Sequence, residues 1–469
     1  MTSSSGRIVI LGAGPTGLGA AWRLEELGYL DYLLLEQSSE AGGLASSFVD
    51  DEGFTWDVGG HVQFSHYAYY DDVLDLALSD AWLYHQRESW VWMRDRFIPY
   101  PFQNNIHRLD ADDCARALRG MEDAAAGRDG SLPADFHRWI LSTFGEGIAE
   151  LFLFPYNFKV WAYPPALLGT GWMGERVAVP DLERVRTNVQ ARTDDVSWGP
   201  NNLFRFPARG GTGAIWKAVS KRLPAERQRF GARVAAVDAS RRAVVLSDGE
   251  TIRYDTLVSA LPLDRLCTIT SGLATAAVAA STQLLHSTSH IIGIGLRGEQ
   301  PSTLQKKCWM YFPEDHSPYY RVTVFSNYSP ANVPEGEGFW SLMAEVSESP
   351  MKPVNQDTLV DDVIVALKRD QLISVRTRVV SQWRYRAGHG YPTPSLSRDA
   401  QLAIIEPELV AQRIFSRGRF GAWRYEVSNQ DHSFMQGVEV VDRLLRDGQE
   451  VTLTQPDLVN SGAFLRKRV

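Results

Sequence analysis

Cysteine is scarce in this sequence. Three residues in 469 (Cys114, Cys267 and Cys308) lie far apart and in no C-x-x-C pair, which suggests neither a disulfide framework nor a zinc site. No apolar run approaches the ~20 residues that a membrane-spanning helix needs. Basic residues are not in excess: 48 Lys and Arg face 56 Asp and Glu, for a net charge of −8 and a pI near 5.8. That balance argues against general binding to nucleic acid or to an anionic membrane. Any anionic ligand must be held by local arginines, and arginine outnumbers lysine 40 to 8. Internal repeats, low-complexity tracts and a secretory leader are all missing, so the expected setting is a reducing cytoplasm.

What is present reads as an ordinary globular protein, 44% hydrophobic and 22% charged, too long for one core and so expected to divide into two or three domains. The stretch that organises it is Ile8-Val9-Ile10-Leu11, an apolar run that leads directly into Gly12-Ala13-Gly14-Pro15-Thr16-Gly17. A helical pattern over 18–27 follows. A second apolar run, Tyr32-Leu33-Leu34-Leu35, then closes on the acid Glu36. Strand, glycine turn, helix, strand and acid in this order form a dinucleotide-binding βαβ unit. Gly12 permits the tight turn, Gly14 admits a pyrophosphate to the backbone, and Gly17 lets helix and strand pack closely. The helix N-terminus offers free N–H groups to the phosphates, and Glu36 is placed to hold ribose hydroxyls. Further glycine pairs, Gly42-Gly43 and Gly59-Gly60, suit FAD, which lies extended along the protein, better than a nicotinamide nucleotide.

Taken in order, the chain next offers His61, directly after the second glycine pair and so a candidate for the flavin site. Residues 89–100 read as a hairpin and 111–153 as helical. The stretch 155–162 is too aromatic and polar for a loop and too irregular for a plain helix. The turn Arg209-Gly210-Gly211-Thr212-Gly213 is either a capped helix start or a turn facing the cofactor. A β meander follows over 233–262, with Asp248-Gly249 as its hairpin turn and a buried strand running back toward the glycine-rich sheet. Residues 290–346 carry the pattern of an antiparallel sheet. A helix is expected over 356–367, a glycine- and proline-rich loop over 388–394 and a long helix over 433–447. The fold class is therefore α/β: a Rossmann-like FAD-binding domain (1–88 with 204–265 and 405–469), an inserted helical domain with mobile substrate loops (103–203), and an antiparallel sheet domain that receives substrate (89–102 with 266–404).

Several long, irregular motifs carry a resemblance that spans nearly the whole chain. They are the 12–17 glycine turn, Asp57-Val-Gly-Gly-His-Val-Gln-Phe-Ser-His66, Tyr100-Pro-Phe-Gln-Asn-Asn105, Pro155-Tyr-Asn-Phe-Lys-Val-Trp161 and Phe204-Arg-Phe-Pro-Ala-Arg-Gly-Gly-Thr-Gly213. To these are added Tyr311-Phe-Pro-Glu-Asp315, Arg321, Ser326-Asn-Tyr-Ser-Pro330, Tyr391-Pro-Thr-Pro394, Arg417-Gly-Arg-Phe-Gly421, Arg424-Tyr-Glu-Val427 and Asn429-Gln-Asp-His-Ser-Phe434. The sequence resembles the flavin-dependent UDP-galactopyranose mutase family, its eukaryotic-type branch in particular. It departs in a shorter segment after Pro330 and in Ser428.

The resemblance implies interconversion of UDP-galactopyranose and UDP-galactofuranose, with reduced FAD attacking the anomeric carbon through N5 while UDP leaves and returns. NADPH or NADH would be the reductant, a UDP-sugar the substrate, and a homo-oligomer the assembly. It further implies that Arg176 and Arg321 grip the diphosphate, aided by Tyr311, Tyr391 and Tyr425. Phe64, Tyr100, Phe102, Gln103, Asn157 and Trp161 would hold uridine and sugar, with Asn201 and Tyr328 close by. His61 and Arg419 would face the isoalloxazine. The FAD itself would be held by Gly12, Gly14, Pro15, Thr16, Gly17, Glu36, Gln37, Gly43, Leu44, Ala45, Gly60, Val234, Asn429, Gln430 and Ser433, and no metal is implied. The chain around Arg176 and Asn201 would close as lids. Two alternatives remain: a mutase of the same mechanism acting on another nucleotide sugar, and an FAD-dependent oxidoreductase of the amine-oxidase type.

Overall fold

The computed structural model describes residues 6–79, 81–127, 133–196 and 202–461. Its organising layer is a five-stranded sheet in the order Ile414–Ser416, Thr256–Ser259, Ile8–Leu11, Tyr32–Leu35, Gln228–Arg229, parallel throughout. Ile8–Leu11 sits at its centre and is wholly buried. Sheets covered by helices on their faces are built from such unbroken apolar runs. The Pro15–Glu26 helix and the long Gln430–Arg446 helix pack on one another beside this sheet.

The meander forms a small sheet of Thr251–Arg253, Ala243–Leu246, Val234–Asp238 and Thr270–Ser271. The third sheet is larger, in the order Arg378–Pro392, His286–Arg297, Phe339–Glu348, Arg321–Thr323, Trp309–Tyr311, Ser89–Met93, Arg96–Pro99. Its pairings are antiparallel except where Trp309–Tyr311 lies parallel to Ser89–Met93. The expected hairpin over 89–100 is thus present and forms one edge of this sheet. Arg94 and Asp95, both at positive φ (54° and 56°), make its two-residue turn.

Two expectations need correction. The 388–394 segment is not a loop up to its end: the edge strand Arg378–Pro392 runs through it to Pro392. Glycine here serves close approach rather than a turn, since a Cβ on Gly390 would stand 2.1 Å from Ser289 Oγ on the neighbouring strand. The 155–162 stretch belongs to a plain α-helix, Phe154–Trp161. Ala162 ends it in the left-handed region (φ 58°). The irregularity lies one turn earlier, in the π-helical Ala149–Leu153, which leaves the Leu153 carbonyl to be taken by the Asn157 side chain at 2.8 Å. The helices Ala111–Ala126 and Phe136–Ile148 begin at Asp110 and Asp135, whose carboxylates accept the N–H of Asp113 (2.9 Å) and Arg138 (2.8 Å).

The Arg209–Gly213 turn proves structural. Its Thr212 N–H points to both oxygens of Asp57 (3.2 Å each), and its Gly213 N–H points to Ser47 Oγ (2.7 Å), which in turn donates to Asp57 at 2.5 Å. Asp57 is fully buried, and burial pushes its carboxyl up to about 7, against the opposing effect of its Ser47 and Thr212 hydrogen bonds. A folded-state pKa above the unfolded value gives stability that is complete below about pH 4 and is lost as pH rises through 7. An Asp57→Asn variant should therefore gain on the wild type by a few kcal/mol between pH 5 and pH 8, at about 1.4 kcal/mol per pKa unit. Denaturant unfolding at both pH values measures this, and a pH-independent difference would contradict it.

Candidate functional site

A cavity of about 550 Å³ runs from the first glycine turn, past the Gly59–Gly60 pair, to the seven-stranded sheet. At one end the Pro15–Glu26 helix begins with no side-chain cap, so its first N–H groups are open to the cavity lined by Gly14, Pro15 and Thr16. Glu36 closes this end, buried, with its carboxylate accepting the N–H of Ala13 (2.7 Å) and Ser38 (2.8 Å). Those bonds fix the acid at the tip of its strand. Gly43 closes on Gly14 from the opposite side, where a Cβ would stand 3.3 Å from the Gly14 Cα. A narrow cradle of backbone, an uncapped helix start and a pinned carboxylate fit the pyrophosphate and ribose of FAD.

At the other end lie Gly60, His61, Phe64, Arg321, Tyr391, Arg419 and Tyr425. His61 is held near pKa 4 by burial, which outweighs the raising effect of Glu345, while Arg419 and Arg321 lower it further. Its imidazole is uncharged at neutral pH. The Arg419 guanidinium is fixed by Gly390 O (3.0 Å) and Ser428 Oγ (2.9 Å), with its carbon 4.8 Å from the Tyr391 ring centre and 6.0 Å from that of Tyr425. Arg176 reaches over the other part of this wall, 5.2 Å from the Tyr425 ring, and donates to Glu426 O at 2.8 Å. Burial drives the Tyr311 and Tyr425 phenols above their ordinary range, so they remain hydrogen-bond donors.

Most of the expected cofactor set lines this cavity: Gly12, Gly14, Pro15, Thr16, Glu36, Gln37, Gly43, Leu44, Ala45, Gly60, His61, Arg419, Asn429, Gln430 and Ser433. Gly17 stands behind the turn rather than on the cavity, and Val234 lies half-buried in the meander, packed against a separate core. The expected substrate residues form a second layer. Tyr100 and Tyr311 pack together at 5.2 Å, and Trp161 sets its edge on Tyr425 at 4.7 Å. Phe102 stacks on Phe152 at 4.8 Å, Gln103 donates to Ala178 O at 2.5 Å, and Tyr328 is fully buried among Phe204, Phe206 and Phe325. Asn201 lies outside the described residues.

Glu345 went unnoticed in the sequence and is central here. Buried on the Phe339–Glu348 strand, it accepts both Arg321 Nε and Nη2 (2.8 Å each), Tyr320 OH (2.7 Å) and the Gly60 N–H (3.0 Å). One carboxylate thus ties the turn that carries His61 to the guanidinium of Arg321. The available signal was an acid within the otherwise apolar run Leu342-Met343-Ala344-Glu345-Val346, a place where a charge must have partners.

Residues 15–364 match the family described as Flavin containing amine oxidoreductase. Among solved structures, a reduced UDP-galactopyranose mutase is 51% identical, with 98% of each chain covered and a TM-score of 0.95. A putative protoporphyrinogen oxidase from Exiguobacterium is 15% identical, covering 94% of this chain and 99% of that one with a TM-score of 0.69. A fatty acid isomerase from P. acnes is 14% identical over the same shares, with a TM-score of 0.63. These last two share the fold alone. The first shares far more than the fold, and the chain belongs to the UDP-galactopyranose mutase family, flavin-dependent isomerases built on the amine oxidoreductase fold.

Proposed function

We propose that the protein interconverts UDP-galactopyranose and UDP-galactofuranose with FAD held reduced. The observation that carries this reading is that one cavity joins the glycine cradle and Glu36 to Arg321, Arg419, Tyr391 and Tyr425. Redox chemistry on an uncharged substrate has no use for that cationic, phenol-lined end. A nucleotide diphosphate that must leave and return needs fixed guanidinium groups and neutral hydroxyl donors.

When bound and reduced, FAD supplies a nucleophilic N5 for attack at the anomeric carbon. The chain's own residues bind, orient and exclude water. Gly14, Pro15 and Thr16 hold the cofactor pyrophosphate at the helix start, and Glu36 holds the adenosine ribose. Gly60, His61 and Arg419 flank the ring system, His61 as an uncharged imidazole that adds no positive charge of its own. Arg176 and Arg321 take the substrate diphosphate, with Tyr311, Tyr391 and Tyr425 donating to its oxygens. Tyr100, Phe102, Gln103, Asn157 and Trp161 form the wall toward uridine and sugar. The segment around Arg176 closes over the site, keeping water from the sugar while it is detached from UDP. NADPH or NADH supplies the reducing equivalents.

The test is to incubate dithionite-reduced protein with UDP-galactofuranose and separate the products by chromatography. UDP-galactopyranose should appear catalytically, and its absence while FAD is bound and reduced would refute the assignment. Parallel incubations with other UDP-hexoses define the sugar.

A further inference from the structure

Ser428 is one of the two places where the sequence departs from the family motifs, and it lines the cavity. It is buried, directly after the short helical turn Tyr425–Val427 and just ahead of the long Gln430–Arg446 helix. Its φ of −113° is one that any residue can adopt, so the backbone does not call for serine here. The hydroxyl has a specific use. Its Oγ accepts Arg419 Nη1 at 2.9 Å, and the Ser428 carbonyl accepts the same nitrogen at 3.3 Å. On its other edge the guanidinium meets one carbonyl, Gly390 O, at 3.0 Å from Nη2 and 3.4 Å from Nε. A guanidinium carries five N–H donors in a rigid plane. Two acceptors on one edge and one on the other fix that plane, and an Nη2 N–H is left over for a ligand.

Neutral oxygens alone meet the charge on Arg419. Arg321, at the same end of the cavity, has the Glu345 carboxylate. Arg419 has no acidic partner among the described residues, and the neighbouring Arg176 adds a like charge. Burial and that neighbour lower its hold on its proton. A buried cation without a counter-charge gains from a ligand that brings electron density. Arg419 is also close enough to His61 to lower the proton affinity of the imidazole, which places its charge on the flavin side of the wall.

We propose that Ser428 is a positioning residue: its hydroxyl sets the plane of the Arg419 guanidinium, and that plane decides how strongly the cation favours reduced flavin. This role rests on the function proposed above, in which His61 and Arg419 flank the ring system. Reduction adds two electrons to that ring system, and a fixed positive charge beside it makes the reduced form easier to reach. Without Oγ, Nη1 keeps only the longer bond to the Ser428 carbonyl, and a long side chain with many rotamers is released to tilt away. Ser428 carries no charge of its own and acts through Arg419.

The test measures the reduction potential of the FAD-loaded protein by anaerobic titration against a reference dye. Ser428→Ala should lower the equilibrium constant for flavin reduction by about tenfold, a fall of about 30 mV for a two-electron couple. Ser428→Gly loses the same hydroxyl and should fall equally, so the comparison survives if one variant does not fold. Arg419→Gln should fall further. Adding Ser428→Ala to it should change nothing more, because the hydroxyl then holds no charge. A residue that merely supported the fold would shift the thermal midpoint in both backgrounds and leave the potential where it was. An unchanged or raised potential in the Ser428 variants, or an additive shift in the double variant, would overturn the proposal alone. Wild-type protein that binds no FAD would overturn it together with the function on which it rests.

Discussion

Arg321→Ala is expected to weaken UDP binding by roughly 2–5 kcal/mol, because truncating one partner of a buried, charge-assisted contact leaves the other charge uncompensated. The buried carboxylate of Glu345 adds a second effect. It loses its bidentate partner and keeps only the Gly60 N–H and Tyr320 OH, a loss that costs on the order of 3–5 kcal/mol of stability for a buried pair. The turn that carries His61 is pinned by the same carboxylate, so the flavin spectrum should shift as well. Arg176→Ala separates the two contributions. Its guanidinium donates to a backbone carbonyl and lies on Tyr425 with no acidic partner among the described contacts. It should therefore lose UDP affinity at little cost in stability and with an unchanged flavin spectrum. Calorimetric titration with UDP and thermal unfolding check both variants. If UDP binds both as tightly as the wild type, the diphosphate lies elsewhere.

The second large effect concerns the glycine turn, where two neighbouring glycines should fail for different reasons. A Cβ on Gly17 would stand 1.8 Å from the Gly12 carbonyl oxygen and 3.3 Å from Ile10 Cγ2, both part of the central strand and its turn. No flexible side chain is there to move aside, so Gly17→Ala should unfold the front end and yield protein without bound flavin. A Cβ on Gly14 meets nothing closer than 3.8 Å. Gly14→Ala should fold with near wild-type circular dichroism yet bind FAD weakly, since the methyl group occupies the side from which the pyrophosphate approaches. Flavin absorbance together with thermal unfolding distinguishes the outcomes. Full flavin content in Gly14→Ala would place the pyrophosphate away from this turn.

The contrast between these two glycines shows what is readable from sequence. Gly12, Gly14, Gly17 and Glu36 lie within one continuous βαβ unit, so local spacing alone puts them in register, and the structure builds that unit around the buried Ile8–Leu11 strand. The 89–100 hairpin and the meander were legible for the same reason, each being a local pairing with its own turn. Glu345 was not. Its partners Gly60 and Arg321 come from distant segments, and only the sheet register that pairs Arg321 with Glu345 brings them together. The Gly388–Pro392 segment was misread because glycine and proline usually signal a turn. Here Gly390 answers instead to the proximity of Ser289, a fact of tertiary packing.

The flavin in this protein is expected not to be consumed as a redox reagent. An oxidase begins each turnover with oxidised flavin and ends it reduced, so an acceptor must be used up in proportion to product. An isomerase that draws on the electron density of reduced N5 needs reduction once, and afterwards the electrons stay on the cofactor. The decisive measurement counts furanose–pyranose conversions per reducing equivalent, with the FAD reduced by a measured amount of dithionite and oxygen excluded. Negligible conversion is expected before reduction, and many conversions for each equivalent after it. A ratio near one would mean that the flavin is spent in each turnover and would mark the protein as an oxidoreductase.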